Sequence, residues 1–131
     1  MASTLKVFCL QLYNLNKTLS DRFPKSKELS LSLTAVQTMK ENNSKKLIEM
    51  FVLYAYEYKE NILNKDEVFL LNTDYLEKDE SNNKKENIDI IKNLKDNWKL
   101  LDKDEKEAVW KYLQVLIKLT DKYLSETLKL N

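Results

Sequence analysis

The stretch DKDEKEAVWKYLQVLIKLTDKYLSETLKL, Asp102 to Leu130, decides how this chain is read. It predicts one helix of about 27 residues, roughly 40 Å long. On a wheel at about 100° per residue, Val109, Trp110, Tyr112, Leu113, Leu116, Ile117, Leu119, Thr120, Tyr123, Leu124 and Leu128 fill about half of the circumference. Lys111, Gln114, Lys118, Asp121, Lys122, Ser125 and Lys129 fill the opposite arc, and Val115 alone sits at the border. An apolar arc that wide exceeds what one neighbour covers, so helices are expected to flank it on at least two sides. Asp102 and Glu105 have the spacing of a capping box and start the helix.

Upstream the same period recurs. Leu5, Phe8, Leu12, Leu15 and Leu19 follow one another at steps of three and four, giving an amphipathic helix from about Ser3, its cap, to Arg22. Pro24 ends it by disfavouring helical backbone at Phe23. Ser26 to about Glu41 carries Leu29, Leu33 and Val36 on one face, and Asn42-Asn43-Ser44 is the break. Leu29, Leu31 and Leu33 also alternate like a strand, but no second strand exists to pair with them.

Ser44 to about Leu63 is the most apolar stretch and reads as one central helix. Leu47, Phe51, Tyr54, Ala55, Tyr58 and Ile62 make its main face, whereas Val52, Leu53 and Tyr56 point elsewhere. A helix apolar nearly all round is buried or covered by a partner. Asn64 and Glu67 are spaced as a second capping box, opening a short helix through Leu71. Glu77 to Glu86 is almost wholly polar, so a mobile loop is expected at about 76–87 within a single domain spanning 1–131. A further helix from about Asn87 to Leu100 turns Ile90, Ile91, Leu94 and Trp98 inward, with Trp98 and Trp110 in or beside the core. No heptad is sustained across the whole chain and there is no internal repeat. The expected fold is all-α, a compact irregular bundle of five or six helices with a long C-terminal helix.

Composition supports this and narrows the function. The chain has no Gly and one Pro. Hairpins lean on Gly for positive-φ turns, so its absence argues for an all-helical fold, and no glycine-rich phosphate loop is possible. The absence of His removes Ser-His and Cys-His catalysis and the commonest transition-metal ligand. Cys9, the single cysteine, supplies neither an internal disulfide nor a thiolate cluster and points to a reducing compartment. The acidic run 102–107 lacks the spacing of a calcium loop and suits a helix first turn. No cofactor, metal or small-molecule substrate is implied, and the chain is read as non-enzymatic.

Net charge is +1, from 22 basic and 21 acidic residues, and Arg22 is the sole arginine. No global field then points to nucleic acid, and the residue best suited to phosphate contacts is nearly missing. Lys84, Lys85, Lys92, Lys95 and Lys99 could face a nucleic acid, but Glu86, Asp89 and Asp96 interleave with them as on a solvated face. No run approaches the ~20 apolar residues of a membrane span. Lys6 with Val7 to Leu10 makes a poor signal peptide, because Gln11, Asn14 and Asn16 interrupt it. A cytoplasmic location follows as the expectation.

Two stretches carry a resemblance. Tyr58-Lys59, Ile62-Leu63, Asp66-Glu67, Phe69-Leu70 and Asp74-Tyr75 form one; Trp98, Leu101, Val109-Trp110, Tyr112-Leu113-Gln114, Leu116 and Lys122-Tyr123 form the other. Together they resemble small helical proteins of large nucleocytoplasmic DNA viruses, over about residues 44–75 and 94–124. The abundance of Lys and Asn, read as the codon usage of an AT-rich genome, accords with it. The resemblance implies a setting in the infected cytoplasm, a virus factory or the particle, and carries no catalytic residues with it.

The expected function is a protein-protein interaction or structural module whose contact residues are Tyr54, Tyr56, Phe69, Leu70 and Tyr75, with core packing as the plainer role of those aromatics. The partner is another protein chain, either a second copy or a foreign one. Two alternatives come from other classes: a modulator of host responses binding a partner helix in the manner of Bcl-2-like or death-fold bundles, and a nucleic-acid-binding accessory protein.

Overall fold

The computed structural model describes residues 3–72 and 90–129. The expected loop at about 76–87, the start of a helix at Asn87, the side chain of Ile90, and Tyr75 lie outside the described residues. Within them the chain is all-α and has no strand. Helices α1 (Thr4–Arg22), α2 (Lys27–Asn42), α3 (Ser44–Tyr54), α4 (Lys59–Leu63), α5 (Glu67–Asn72), α6 (Ile90–Asn97) and α7 (Lys103–Lys129) follow in order, with 3₁₀ turns at Tyr56–Tyr58 and Trp98–Leu100.

Local chemistry sets most of these ends. Ser3 Oγ accepts from Lys6 N–H at 3.1 Å, the cap the sequence predicts, and Ser26, expected as the first residue of the second helix, is its cap instead, its Oγ accepting from Leu29 N–H at 3.2 Å. Asp102 N–H donates to Glu105 Oε1 and Glu105 N–H to Asp102 Oδ1, both at 2.8 Å, a reciprocal capping box. The long last helix is 27 residues, as its wheel predicts. Leu128 is the exception on that wheel: it is 71 % exposed, because the final turns run past the helices that cover the rest of the apolar arc.

Two expectations fail between residues 44 and 67. The 44–63 stretch is not one helix, which is why seven α-helices are seen among the described residues. Ala55 leaves helical backbone (φ −125°, ψ −30°), and the following turn is 3₁₀. Val52, Tyr54, Tyr56 and Tyr58 are β-branched or aromatic and therefore weak helix formers. Their neighbours also carry apolar groups on more faces than one straight helix can bury. The break re-phases the chain: Phe51, Tyr54 and Ala55 are buried before it and Ile62 after it, while Leu53 stays 57 % exposed. The stretch is thus not covered all round.

The second correction concerns the next helix, which is capped by Asp66 rather than Asn64. Asp66 Oδ1 accepts from Phe69 N–H at 3.0 Å. Asn64 instead belongs to the end of α4. Lys65 N–H donates to Ile62 O at 3.1 Å and Asp66 N–H to Asn61 O at 2.9 Å, the two bonds of a Schellman closure. Such a closure places its terminal residue in the left-handed region, usually with Gly; here Lys65 occupies it at φ 53°.

All seven helices feed one buried cluster. Phe8, Leu12, Leu15 and Leu19 come from α1, Leu29 and Val36 from α2, Leu47, Ile48 and Phe51 from α3, Ile62 from α4, Leu70 from α5, Ile91 and Leu94 from α6, and Leu113, Leu116 and Ile117 from α7. Phe8 meets Phe51 edge to face at 5.3 Å, and Trp98 meets Trp110 at 5.2 Å and 66°. Both indoles are buried, as their spacing predicts. Each fully buried Leu or Phe contributes about 1.5–3 kcal/mol over an exposed one. Asn16 and Ser32 are buried without any apolar signal in the sequence. Ser32 Oγ donates to Asn16 Oδ1 at 2.8 Å and Asn16 Nδ2 donates to Leu12 O at 2.9 Å, so the pair is satisfied and fixes how α2 sits on α1.

Candidate interaction surface

The surface is organised by how α7 is held. Along one flank Thr4 Oγ1 donates to Glu126 Oε2 at 3.2 Å, and Arg22 Nε donates to Glu105 Oε2 at 2.6 Å, so α1 and α7 run antiparallel. Arg22 Nη2 also donates to Leu100 O at 2.9 Å. Along the other flank lies the region of α4. Gln114 Nε2 donates to Leu63 O at 3.1 Å, Lys65 Nζ reaches Glu107 Oε1 at 2.8 Å, and Lys59 Nζ pairs with Asp121 at 3.0 Å. These two flanks are the two-sided cover that the wide apolar arc of α7 demands.

Several of the ionisable groups with perturbed protonation belong to ties between elements. Tyr56 hydroxyl donates to Asp121 Oδ1, which pushes the tyrosine pKa up, and the same carboxylate raises that of Lys59. Burial works to raise Asp121, but hydrogen bonds from Tyr56 and Lys59 hold it below the usual carboxylate range. Trp98 Nε1 donates to Glu67 and, together with Lys106 Nζ at 3.1 Å, keeps that carboxyl low. The backbone N–H of Phe69, then the Asn61 side chain, does the same for Asp66. Cys9 is buried, with Sγ 3.6 Å from Ser44 O, and burial pushes its thiol up to about 11. Among the described residues no group of three or more His, Cys, Asp or Glu side chains is placed to hold a metal ion.

The residues singled out from sequence do not assemble into an open face. Tyr54 and Leu70 are 6 % and 0 % exposed and lie in the interior. Tyr56 is half-buried and tied to Asp121, and Phe69 is half-buried with its ring 4.8 Å from that of Tyr58. Of the lysines considered for nucleic acid, Lys92 pairs with Asp96 at 3.0 Å, and Lys84 and Lys85 lie outside the described residues.

Open apolar surface is found instead between α1 and α7. Gln11, Ala108, Lys111, Tyr112 and Val115 line a groove of about 270 Å³. Ala108, Lys111 and Val115 are exposed, Val115 at 42 %. The groove lies below the roughly 300–1,000 Å³ of small-molecule sites. Sequence reading missed it because Gln11 and residues 108–115 are distant in the chain. Its one trace was Val115, the apolar residue at the border of the polar arc.

A second depression at the α1–α2 turn is lined by Arg22, Phe23, Pro24, Lys25, Ser26 and Asn97, but its guanidinium is already engaged by Glu105 and Leu100. No helix among the described residues is long and apolar enough to cross a membrane. No family model, curated protein or solved structure matches the chain. The fold class is that of an all-α helical bundle.

Proposed function

We propose that this chain is a non-enzymatic interaction module that docks a protein partner along the groove between α1 and α7, as a component of a larger assembly. The observation that carries this is the groove itself, with Val115 and Ala108 open to solvent on the longest of the described helices. A contiguous apolar groove rimmed by polar side chains is the kind of surface that marks a protein contact. The resemblance to small helical proteins of large DNA viruses supports a setting in a particle or a virus factory in infected cytoplasm.

A photo-reactive residue placed at position 115 tests this in the cells where the protein is made. A cross-link to a protein, reduced when Ala108→Glu introduces a charge into the groove, is expected. Irradiation that labels no protein, while helicity is unchanged, would overturn the proposal.

A further inference from the structure

We infer that the partner on this face is a second copy of the chain, with the two α7 helices packed antiparallel about a two-fold axis close to Leu113. The pairing presupposes the interaction role proposed above and names its partner. The strip of α7 turned away from the core carries Asp104, Ala108, Lys111, Val115, Lys118 and Lys122, all exposed. Their spacing alternates four and three, the repeat by which two helices keep a continuous seam in contact. The ends of the strip carry opposite charge: Asp104, with Glu107 beside it, stands at the amino end and Lys118 and Lys122 at the carboxyl end, with Lys111 between them.

That order makes the strip complementary to itself in one orientation. Laid antiparallel and centred near Leu113, Asp104 faces Lys122 of the second copy, and Glu107 falls beside its Lys118. Lys111 lays its stem against Val115 of the second copy, and the two-fold axis repeats every pair. A parallel arrangement sets Lys118 on Lys118 and Asp104 on Asp104, which is repulsive throughout. Antiparallel packing also opposes the helix dipoles. Glu107 keeps Lys65 at 2.8 Å through Oε1 and retains its other oxygen for the incoming lysine. Asp104, Lys118 and Lys122 have no ion pair within the described residues.

The groove beside the strip accounts for the apolar part of the contact. Tyr112 and Gln11 form its far wall. A seam about 27 Å long, flanked by α1, buries on the order of 1,000 Å² in total, near the lower bound for specific interfaces. The dimer is therefore reversible and forms with rising concentration.

Sedimentation of the full chain across a concentration series tests the pairing. The wild type should pass from monomer to dimer. Lys118→Glu with Lys122→Glu makes both ends of the strip acidic, and Asp104→Lys with Glu107→Lys makes both ends basic. Each variant alone should associate at least about tenfold more weakly, and an equimolar mixture should recover the dimer as a heterodimer. All four positions are exposed, so circular dichroism should stay near wild type, with a small fall in melting temperature only in the variant that loses the Lys65–Glu107 pair.

Register is read by mixing a Lys111→Cys chain with a Val115→Cys chain under oxidising conditions, where the mixed disulfide should exceed either symmetric one. A monomer at every concentration, or association indifferent to both charge reversals, would overturn the inference. If position 115 then still cross-links a foreign protein, the interaction role stands with a different partner; if it cross-links nothing, both fall.

Discussion

Helix α7 and the stretch from Ser44 to Leu63 both carry many large apolar residues, yet they fold differently. In α7 the apolar residues keep to one arc, and the helix runs unbroken for 27 residues with neighbours on both flanks. In the 44–63 stretch they spread round the axis, and the chain breaks at Ala55 rather than gathering cover on every side. The number of apolar residues thus says little; their phase decides. A helix whose phase is consistent can be long, and one whose phase conflicts gains more by restarting with a new face than by exposing half of its side chains. The cost of restarting is a few backbone hydrogen bonds, which water or neighbouring groups replace.

The widest gap between the two regions should appear on truncation. Trp110→Ala in α7 is expected to cost about 3–5 kcal/mol, whereas Leu53→Ala in α3 should stay within about 0.5 kcal/mol, both by urea unfolding. Similar costs at the two sites would mean that the 44–63 stretch is covered all round after all.

A smaller effect tests the tie that fixes the restarted segment on α7. Tyr56→Phe removes the hydrogen bond to Asp121 and should cost about 1 kcal/mol at neutral pH. The sign with pH follows from the carboxylate. The folded Asp121 lies below its ordinary value of 3.8, so its contribution is present above that value and is lost as pH falls through the lower folded one. Melting curves taken from about pH 7 down to about pH 2 should show this loss, and Asp121→Asn should remove its share. An unchanged acid slope in that variant would show that the tie contributes nothing.

The smallest effect is a gain. Lys65→Gly relieves a left-handed lysine at the end of α4 and should raise stability by about 0.5–1 kcal/mol. A loss would show that the Lys65–Glu107 pair outweighs the backbone strain.

These contrasts also mark what the sequence could and could not disclose. Ser3, Ser26, Pro24 and the Asp102–Glu105 pair act within a few residues of themselves, so the ends of α1, α2 and α7 were legible. The end at Asn64 was not, since Asn64 and Asp66 both suit a cap and only the Schellman closure, led by Lys65, assigns them. Asn16 and Ser32 look like surface residues until each is seen to satisfy the other inside the core. The exposure of Leu128 depends on where the neighbouring helices stop, which no wheel contains.

The candidate surface was less legible than the fold for the same reason. Surplus apolar residues at 50–75 drew attention to Tyr54 and Leu70, which the core absorbs, while the open groove is made by helices from opposite ends of the chain.

The clamp formed by Arg22 has a consequence for how the chain is made. Its partner Glu105 lies 83 residues further along, so α1 leaves the ribosome long before the helix that covers one of its faces. At about 5–20 residues per second, the delay is on the order of 4–17 s. Over that interval α2 and α3 are the available cover for Phe8, Leu12 and Leu15, and the satisfied Asn16–Ser32 pair holds the first hairpin in register while the last helix is still being synthesised.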